Sequence, residues 1–423
     1  MKTERTPWLW VPTLYFAEGI PYFIVNVISV TMFKRLGMSN ADLAMYTSLL
    51  YLPWVIKPLW SPMVDVVRTK RWWIVAMQAL MVLCFGMLAT SLPRRTGEPM
   101  PFFVWPLVLF YISAMLSATH DIAADGYYML ALDAHRQSLF VGIRSTFYRI
   151  SSVFGQGVIV VVAGLLELRL GDIPRAWTLT LFMASALLCL LTIWHAAILP
   201  KVEKPCPDAG TKRSVGGAFG SFFRKKGIWL ALVFMLLFRL PEALSVKMLT
   251  PFLLDGRELG GLGLTTAQSG LVYGTVGVIA LTIGGIIGGI FSAKVGLRRA
   301  LWPMALSLAL PCAVYLYMAA AQPENIAVVY ACVALDQFGY GFGFTAYMLY
   351  MIYFSEGEYK TSHYAICTAF MALSMMLPGF FAGMIQEALG YTGFFVLVMV
   401  CCLATVAVTA LLPSRINPSF GKK

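Results

Sequence analysis

Twelve mainly apolar runs follow one another along the chain, each near the roughly 20 residues an α-helix needs to cross a bilayer. They fall near 8–33, 43–65, 72–92, 102–130, 139–167, 177–199, 228–253, 266–293, 300–320, 326–353, 363–388 and 393–412, numbered here spans 1 to 12. In lipid every backbone N–H and C=O must be satisfied internally, so only helices and closed barrels cross. The period-two alternation of barrel strands is absent, and the expected fold is all-α integral membrane. Composition agrees, with 12% charged residues where soluble domains carry about 25%.

A net charge of +12 would point to nucleic acid in a soluble protein. Here its distribution assigns it to topology. An even number of spans puts both termini on one side. Placing them in the cytoplasm puts Lys2, Arg5, Arg68, Lys70, Arg71, Arg136, Lys201, Lys204, Lys212, Arg213, Arg224, Lys225, Lys226, Lys294, Arg298, Arg299, Lys360, Arg415, Lys422 and Lys423 inside. Lys34, Arg35, Arg94, Arg95, Arg169, Arg175 and Arg257 fall outside. This is the asymmetry of the positive-inside rule. Span 1 is too long, and is interrupted by Glu18, for a cleaved signal segment. Cysteines lie mostly within spans and form no CxxC pair, so neither a disulfide frame nor a zinc site is expected.

Residues 200–227 form the one long polar interruption, rich in Lys, Pro and Gly. They read as a cytoplasmic basic linker between two six-helix halves, 1–199 and 228–423. The halves echo each other. Span 2 ends in Ser61-x3-Asp65 followed by Arg68, Lys70 and Arg71; span 8 ends in Gly289-x3-Ala293-Lys294-x-Gly296 followed by Arg298 and Arg299. Both elements resemble the loop signature G-x-x-x-D-R-x-G-R-R of the major facilitator superfamily, with Ser61, Val66 and Ala293 as departures. That resemblance implies two six-helix repeats that rock about a mid-membrane site. Ser61, Asp65, Arg68, Arg71, Gly289, Lys294, Gly296 and Arg298 would then belong to the gating loops.

Ten ionisable side chains fall well inside spans: Glu18, Lys57, Asp121, Asp125, Arg144, Arg149, Arg239, Glu242, Lys247 and Asp336. A charge at a membrane helix centre costs about 2.5–3.5 kcal/mol on insertion scales, so such residues are expected to pair or to handle a proton or polar solute. Asp121 and Asp125 share a helix face at four-residue spacing. Spans 4 and 5 form a hairpin turning near 132–137, which sets Asp121 level with Arg149 and Asp125 level with Arg144. These pairs either lock the two spans together or serve an arginine that binds an anionic solute. Glu18 lies beside Gly19 and Pro21, which loosen a helix. Arg239 and Glu242 are three apart and can pair with each other. Lys247 and Lys57 are expected to snorkel toward opposite membrane faces. Asp336 and Gln337 precede three glycines alternating with aromatics, Gly339 to Phe344, a pattern suited to close helix approach. His120 is expected to be a packing or hydrogen-bonded histidine.

The stretch Lys57-Pro58-Leu59-Trp60-Ser61-Pro62-Met63-Val64-Asp65 resembles the K-x-L-W-S-P-x-x-D element of AmpG-type muropeptide permeases. Ala118 to Gly126 is similar to their A-T-Q-D-I-x-x-D-[AG] segment, shared with the related acetyl-CoA transporters, and Tyr148-Arg149 to their Y-R pair. His120 stands where Gln is usual, and the chain ends just after span 12, without the extra spans of some members. The resemblance implies an inner-membrane importer of anhydromuropeptides (GlcNAc-anhydroMurNAc with or without peptide) driven by proton symport for cell-wall recycling. On that reading Asp121, Asp125, Glu18 and Asp336 are candidate proton carriers. Arg149, Arg144, Tyr148, Arg239, Glu242, Tyr22 and Gln337 are candidate substrate contacts.

No cofactor or metal is expected, and the chain is expected to act as a monomer. A transporter of acyl-CoA, a siderophore or another anionic solute is the alternative within the same family. A ligand sensor or intramembrane enzyme is the alternative of another class, and no HExxH or GxSxG motif supports the latter.

Overall fold

The computed structural model describes residues 6–92, 103–132, 134–202, 215–357, 360–418 and 420. Among them every regular element is helical. Ten helical stretches are long and apolar enough to cross a membrane. One of them, Ser362–Arg415, bends at Gly390, where φ of +66° suits glycine alone, and so supplies both span 11 and span 12. The expected linker lies largely outside the described residues, its end forming the short helix Val215–Phe223.

Span 2 does not appear as one long helix. Ser39 caps Asn40–Leu49 by accepting from the Asp42 amide at 3.1 Å, and the chain then proceeds through short pieces at Leu52–Ile56, Lys57–Leu59 and Ser61–Val66. Pro53, Pro58 and Pro62 account for the interruptions, since each removes a backbone donor and crowds the preceding turn. Span 1 departs from expectation in the other direction. The helix Thr6–Phe23 runs unbroken through Gly19 and Pro21, and the widened π-helical turn comes later, at Ile24–Ile28. Gly19 serves close approach: a Cβ there would lie 1.8 Å from Ser151 Oγ of span 5.

The contacts divide the chain into two units. One holds Met1–Met38, Ile56–Ala209 and Thr265–Gly274; the other holds Ser39–Val55, Gly210–Leu264 and Thr275–Lys423. The start of span 2 therefore packs within the second unit, and the start of span 8 within the first. In lipid, where apolar burial adds little, helices associate through small residues and van der Waals contact. In the second unit a Cβ at Gly341 would sit 2.0 Å from the Leu281 carbonyl oxygen of span 8. One at Gly343 would sit 2.4 Å from that of Met304 in span 9. The glycine–aromatic run of span 10 is thus the seam expected of it, and Phe234, Phe238 and Tyr347 pack beside it.

Each unit also contains a buried polar knot where an exchanged segment docks. In the first, Glu167 accepts from Arg35 at 3.0 Å, Trp177 at 2.8 Å and Thr266 at 2.6 Å. In the second, Asn40 donates to Asp255 at 3.1 Å and Gln386 at 2.7 Å, and Tyr391 donates to Asp255 at 2.6 Å. The two knots use matching places: the first turn of span 2 or 8, the end of span 1 or 7, the end of span 5 or 11, and the start of span 6 or 12. Sequence inspection had singled out neither.

Candidate functional site

Spans 1, 2, 4 and 5 carry the acids and cations of the first unit. The break in span 2 presents Lys57, whose Nζ lies 2.6 Å from Asp121 Oδ2 on span 4. One helical turn on, Asp125 Oδ1 meets Arg144 of span 5 at 2.8 Å and accepts from the Tyr15 hydroxyl of span 1 at 3.1 Å. The Arg144 guanidinium also lies 4.6 Å from the Tyr15 ring centre and 5.5 Å from that of Tyr128, both within cation–π range. These pairs are partly accessible: the side chains of Lys57 and Asp121 are 25% and 20% exposed.

Two expectations for this region are corrected, and one is met. The Asp125–Arg144 pair forms as the hairpin geometry requires. Asp121 instead pairs with Lys57, not Arg149, because the proline-broken end of span 2 brings the lysine inward. Lys57 therefore does not snorkel. Arg149 is half-buried next to Tyr148, whose ring lies 6.5 Å from that of Tyr22.

Glu18 completes the cluster. It is buried and faces the charges of Asp121, Asp125 and Arg144. Among the described residues it makes no ion pair, and its Oε2 finds no hydrogen-bond partner. Two acids of this cluster are thus held by cations while a third is not. Behind it runs a relay whose Gln78, His120 and His195 are buried. Gln78 Nε2 bonds His120 at 3.0 Å, Gln78 Oε1 bonds His195 Nδ1 at 3.0 Å, and His195 Nε2 reaches Thr13 at 3.1 Å. Within it the Gln78 amide donates to His120 and its carbonyl oxygen accepts from His195. His120 is hydrogen-bonded, as expected.

The candidates of the second unit lie in different surroundings. Arg239 grips Glu242 through two bonds, at 2.7 and 3.1 Å, and donates to the Tyr340 hydroxyl at 2.9 Å. Phe344 lies 4.7 Å beneath the guanidinium, and both charged side chains are 5% exposed. Of the two uses open to it in the sequence, Arg239 shows the mutual pair. Asp336 is buried and accepts from Tyr315 at 2.5 Å and from Gln337 at 3.1 Å, with neutral donors in place of a cation.

Among the loop-motif residues, Ser61 opens its short helix, Arg68 lies over Trp72 at 5.8 Å and Arg71 donates to the Ala196 carbonyl. The Asp65 side chain lies outside the described residues. Gly296 ends span 8 at φ +81°, a conformation glycine accepts, and Lys294 and Arg298 flank it in the open. A Cβ at Gly289 would touch nothing within 4 Å. The buried lysine of the loop is Lys70, which sequence reading grouped with its exposed neighbours. Its Nζ donates to the Val64 carbonyl at 3.1 Å, and its stem fills the place a Cβ on Gly126 would take. The glycine directly after Asp125 was the available signal.

No group of His, Cys, Asp and Glu among the described residues is arranged to hold a metal ion.

Comparison with known proteins adds four findings. The model of the Major Facilitator Superfamily matches residues 13–359. The anhydromuropeptide permease of Escherichia coli (strain K12) is 25% identical over 96% of this chain and 81% of its own. Putative transporter AmpG 4 of Rickettsia felis is 23% identical over 93% and 96%. Among solved structures, a bacterial homolog of the human lysosomal transporter Spinster superposes with a TM-score of 0.74. It is 14% identical, over 98% of both chains, in an inward-facing and unoccupied conformation.

Proposed function

This chain belongs to the Major Facilitator Superfamily, a family of multi-pass membrane transporters and not of enzymes, and we propose that it imports anhydromuropeptides across the bacterial inner membrane in symport with protons. Likeness to the E. coli permease over nearly the whole chain supports the solute class. The charge arrangement of the first unit supports the coupling, and Glu18 is the observation that carries it.

Lys57 neutralises Asp121 and Arg144 neutralises Asp125. Glu18, buried beside them without a cation, is left to carry a proton or an uncompensated charge. Carboxyls that face each other compete for charge, and such a pair titrates as a unit. A proton shared by Glu18 and Asp121 is then the coupling ion, and its arrival or loss changes the hold of Asp121 on Lys57. Asp125 and Asp336 are the alternatives. Arg149, next to Tyr148, is the proposed contact for the solute carboxylate, since a guanidinium binds such groups through two parallel bonds.

An inward potential contributes about 2.3 kcal/mol per charge per 100 mV, which by the tenfold-per-1.36 kcal/mol relation is roughly a 50-fold accumulation. Uptake of GlcNAc-anhydroMurNAc by proteoliposomes under an imposed proton gradient tests the proposal. Uptake that persists unchanged when both pH difference and potential are collapsed removes the symport.

A further inference from the structure

Lys247 was expected to reach a membrane face, and it does not. It sits in the helix Leu240–Leu254 of span 7, 8% exposed. Among the described residues it makes neither an ion pair nor a hydrogen bond. Its Nζ instead lies 5.9 Å from the centre of the Tyr51 ring. The comparably buried cation of the same span, Arg239, has a carboxylate partner in Glu242. A lone ammonium in this setting is expensive to keep, and such residues mark solute or ion pathways.

A second observation points to the same place. Ser48, one turn before Tyr51 on span 2, is fully buried, and among the described residues its hydroxyl finds no hydrogen-bond partner. A serine in the last turn of a helix can bond the carbonyl four residues back, as Thr47 beside it does. Gly379 of span 11 ties the two together. A Cβ on it would lie 2.8 Å from Ser48 Oγ and 3.7 Å from Lys247 Cε, so the glycine keeps side-chain bulk away from both. All four residues belong to the second unit. Buried polar groups without partners are rare enough to need a reason, and here an ammonium, a hydroxyl and an aromatic face lie around one glycine.

We propose that Lys247, with Ser48 and Tyr51 beside it, is a binding subsite for a carboxylate of the transported solute. The proposal rests on the muropeptide reading above and names the solute group held: the lactyl carboxylate of the anhydromuramic unit. A compact ammonium on a flexible stem accepts such a group at many approach angles, unlike the fixed fork of an arginine. With the linker in the cytoplasm, as the charge distribution leads one to expect, span 7 runs outward and Lys247 lies toward its far end, where an imported solute arrives first. Lys247 would thus engage the carboxylate on entry, and Arg149 of the first unit is left for a later contact.

The test is binding of GlcNAc-anhydroMurNAc, and of the analogue with its lactyl carboxyl converted to the carboxamide, to the purified full chain by calorimetry. Wild type should prefer the acid by about 10-fold, the worth of one charge-assisted contact. Lys247→Met should weaken that preference, leaving only what Arg149 supplies, while binding the carboxamide as wild type does, and Lys247→Arg should restore part of it. Without ligand Lys247→Met should melt no lower than wild type, because it removes an uncompensated charge; a lysine held in a structural pair would show the reverse. Should Lys247→Met fail to fold, Ser48→Ala serves instead, with about a 3-fold loss for the acid alone. An acid preference intact in both variants, or acid and carboxamide bound equally by wild type, overturns the subsite and leaves the muropeptide reading standing. Wild type that binds neither sugar overturns both.

Discussion

The Lys57 ammonium closes on Asp121 at 2.6 Å, from the point where three prolines break span 2. The contact joins a short, irregular element to the most acid-rich face of span 4 and sits next to Glu18. A pair that is 25% and 20% exposed is reachable by water and by a proton. It is also held firmly enough to fix where Asp121 points. Lys57→Met should therefore reduce gradient-driven uptake by at least about 10-fold, equivalent to some 1.4 kcal/mol of coupling. Lys57→Arg should retain a measurable part. Uptake in Lys57→Met equal to wild type at matched protein levels would assign the pair to scaffolding.

The Arg239–Glu242 pair should behave differently. Both side chains are 5% exposed and ringed by Tyr340, Phe344 and Tyr347. Glu242→Ala strands a guanidinium among aromatic rings and should cost about 3–5 kcal/mol of stability. The double variant Arg239→Met with Glu242→Leu should recover most of that loss. Thermal melts of the three variants in detergent decide it; a double variant no better than Glu242→Ala would show that the charges do more than neutralise each other.

Two glycines of the second unit make a matched comparison. At Gly341 a Cβ would lie 2.0 Å from a backbone oxygen, whereas at Gly289 it would meet nothing within 4 Å. Gly341→Ala should destabilise by about 1–3 kcal/mol through overpacking, and Gly289→Ala should leave the melting temperature within error. Equal effects would mean that spans 8 and 10 separate more readily than this packing implies.

The polar knots offer a fourth test. Glu167→Gln keeps the size of the side chain but weakens three donor contacts, from Arg35, Trp177 and Thr266. A loss of about 1–3 kcal/mol is expected. Asn40→Ala should lose a similar amount by freeing Asp255 and Gln386. Melts that do not move in either variant would show that these bonds are readily exchanged for water.

Much of this architecture is written in the chain. Apolar runs of bilayer length report helices whatever their neighbours, and the Gly339–Gly343 pattern reports a close seam because only glycine permits backbone contact. The Asp125–Arg144 pair was legible because both residues lie on one hairpin, where helical rise fixes depth. Asp121 was harder. Its partner comes from a different hairpin, and the break that delivers Lys57 depends on Pro53, Pro58 and Pro62 acting inside a run that otherwise reads as one span. Glu167, Asn40 and Lys247 were missed or misplaced for a related reason. Their partners, or the lack of them, are set by segments about 100 residues away or more, which no local period records.

The most direct test of the coupling claim follows protons and solute together. Proteoliposomes carrying a pH-sensitive dye are given GlcNAc-anhydroMurNAc, and proton movement and sugar uptake are read in one sample, with wild type beside Glu18→Gln. Wild type should take up protons with sugar, and Glu18→Gln should exchange sugar across the membrane without moving protons. Proton uptake that stays tied to sugar in Glu18→Gln would contradict it.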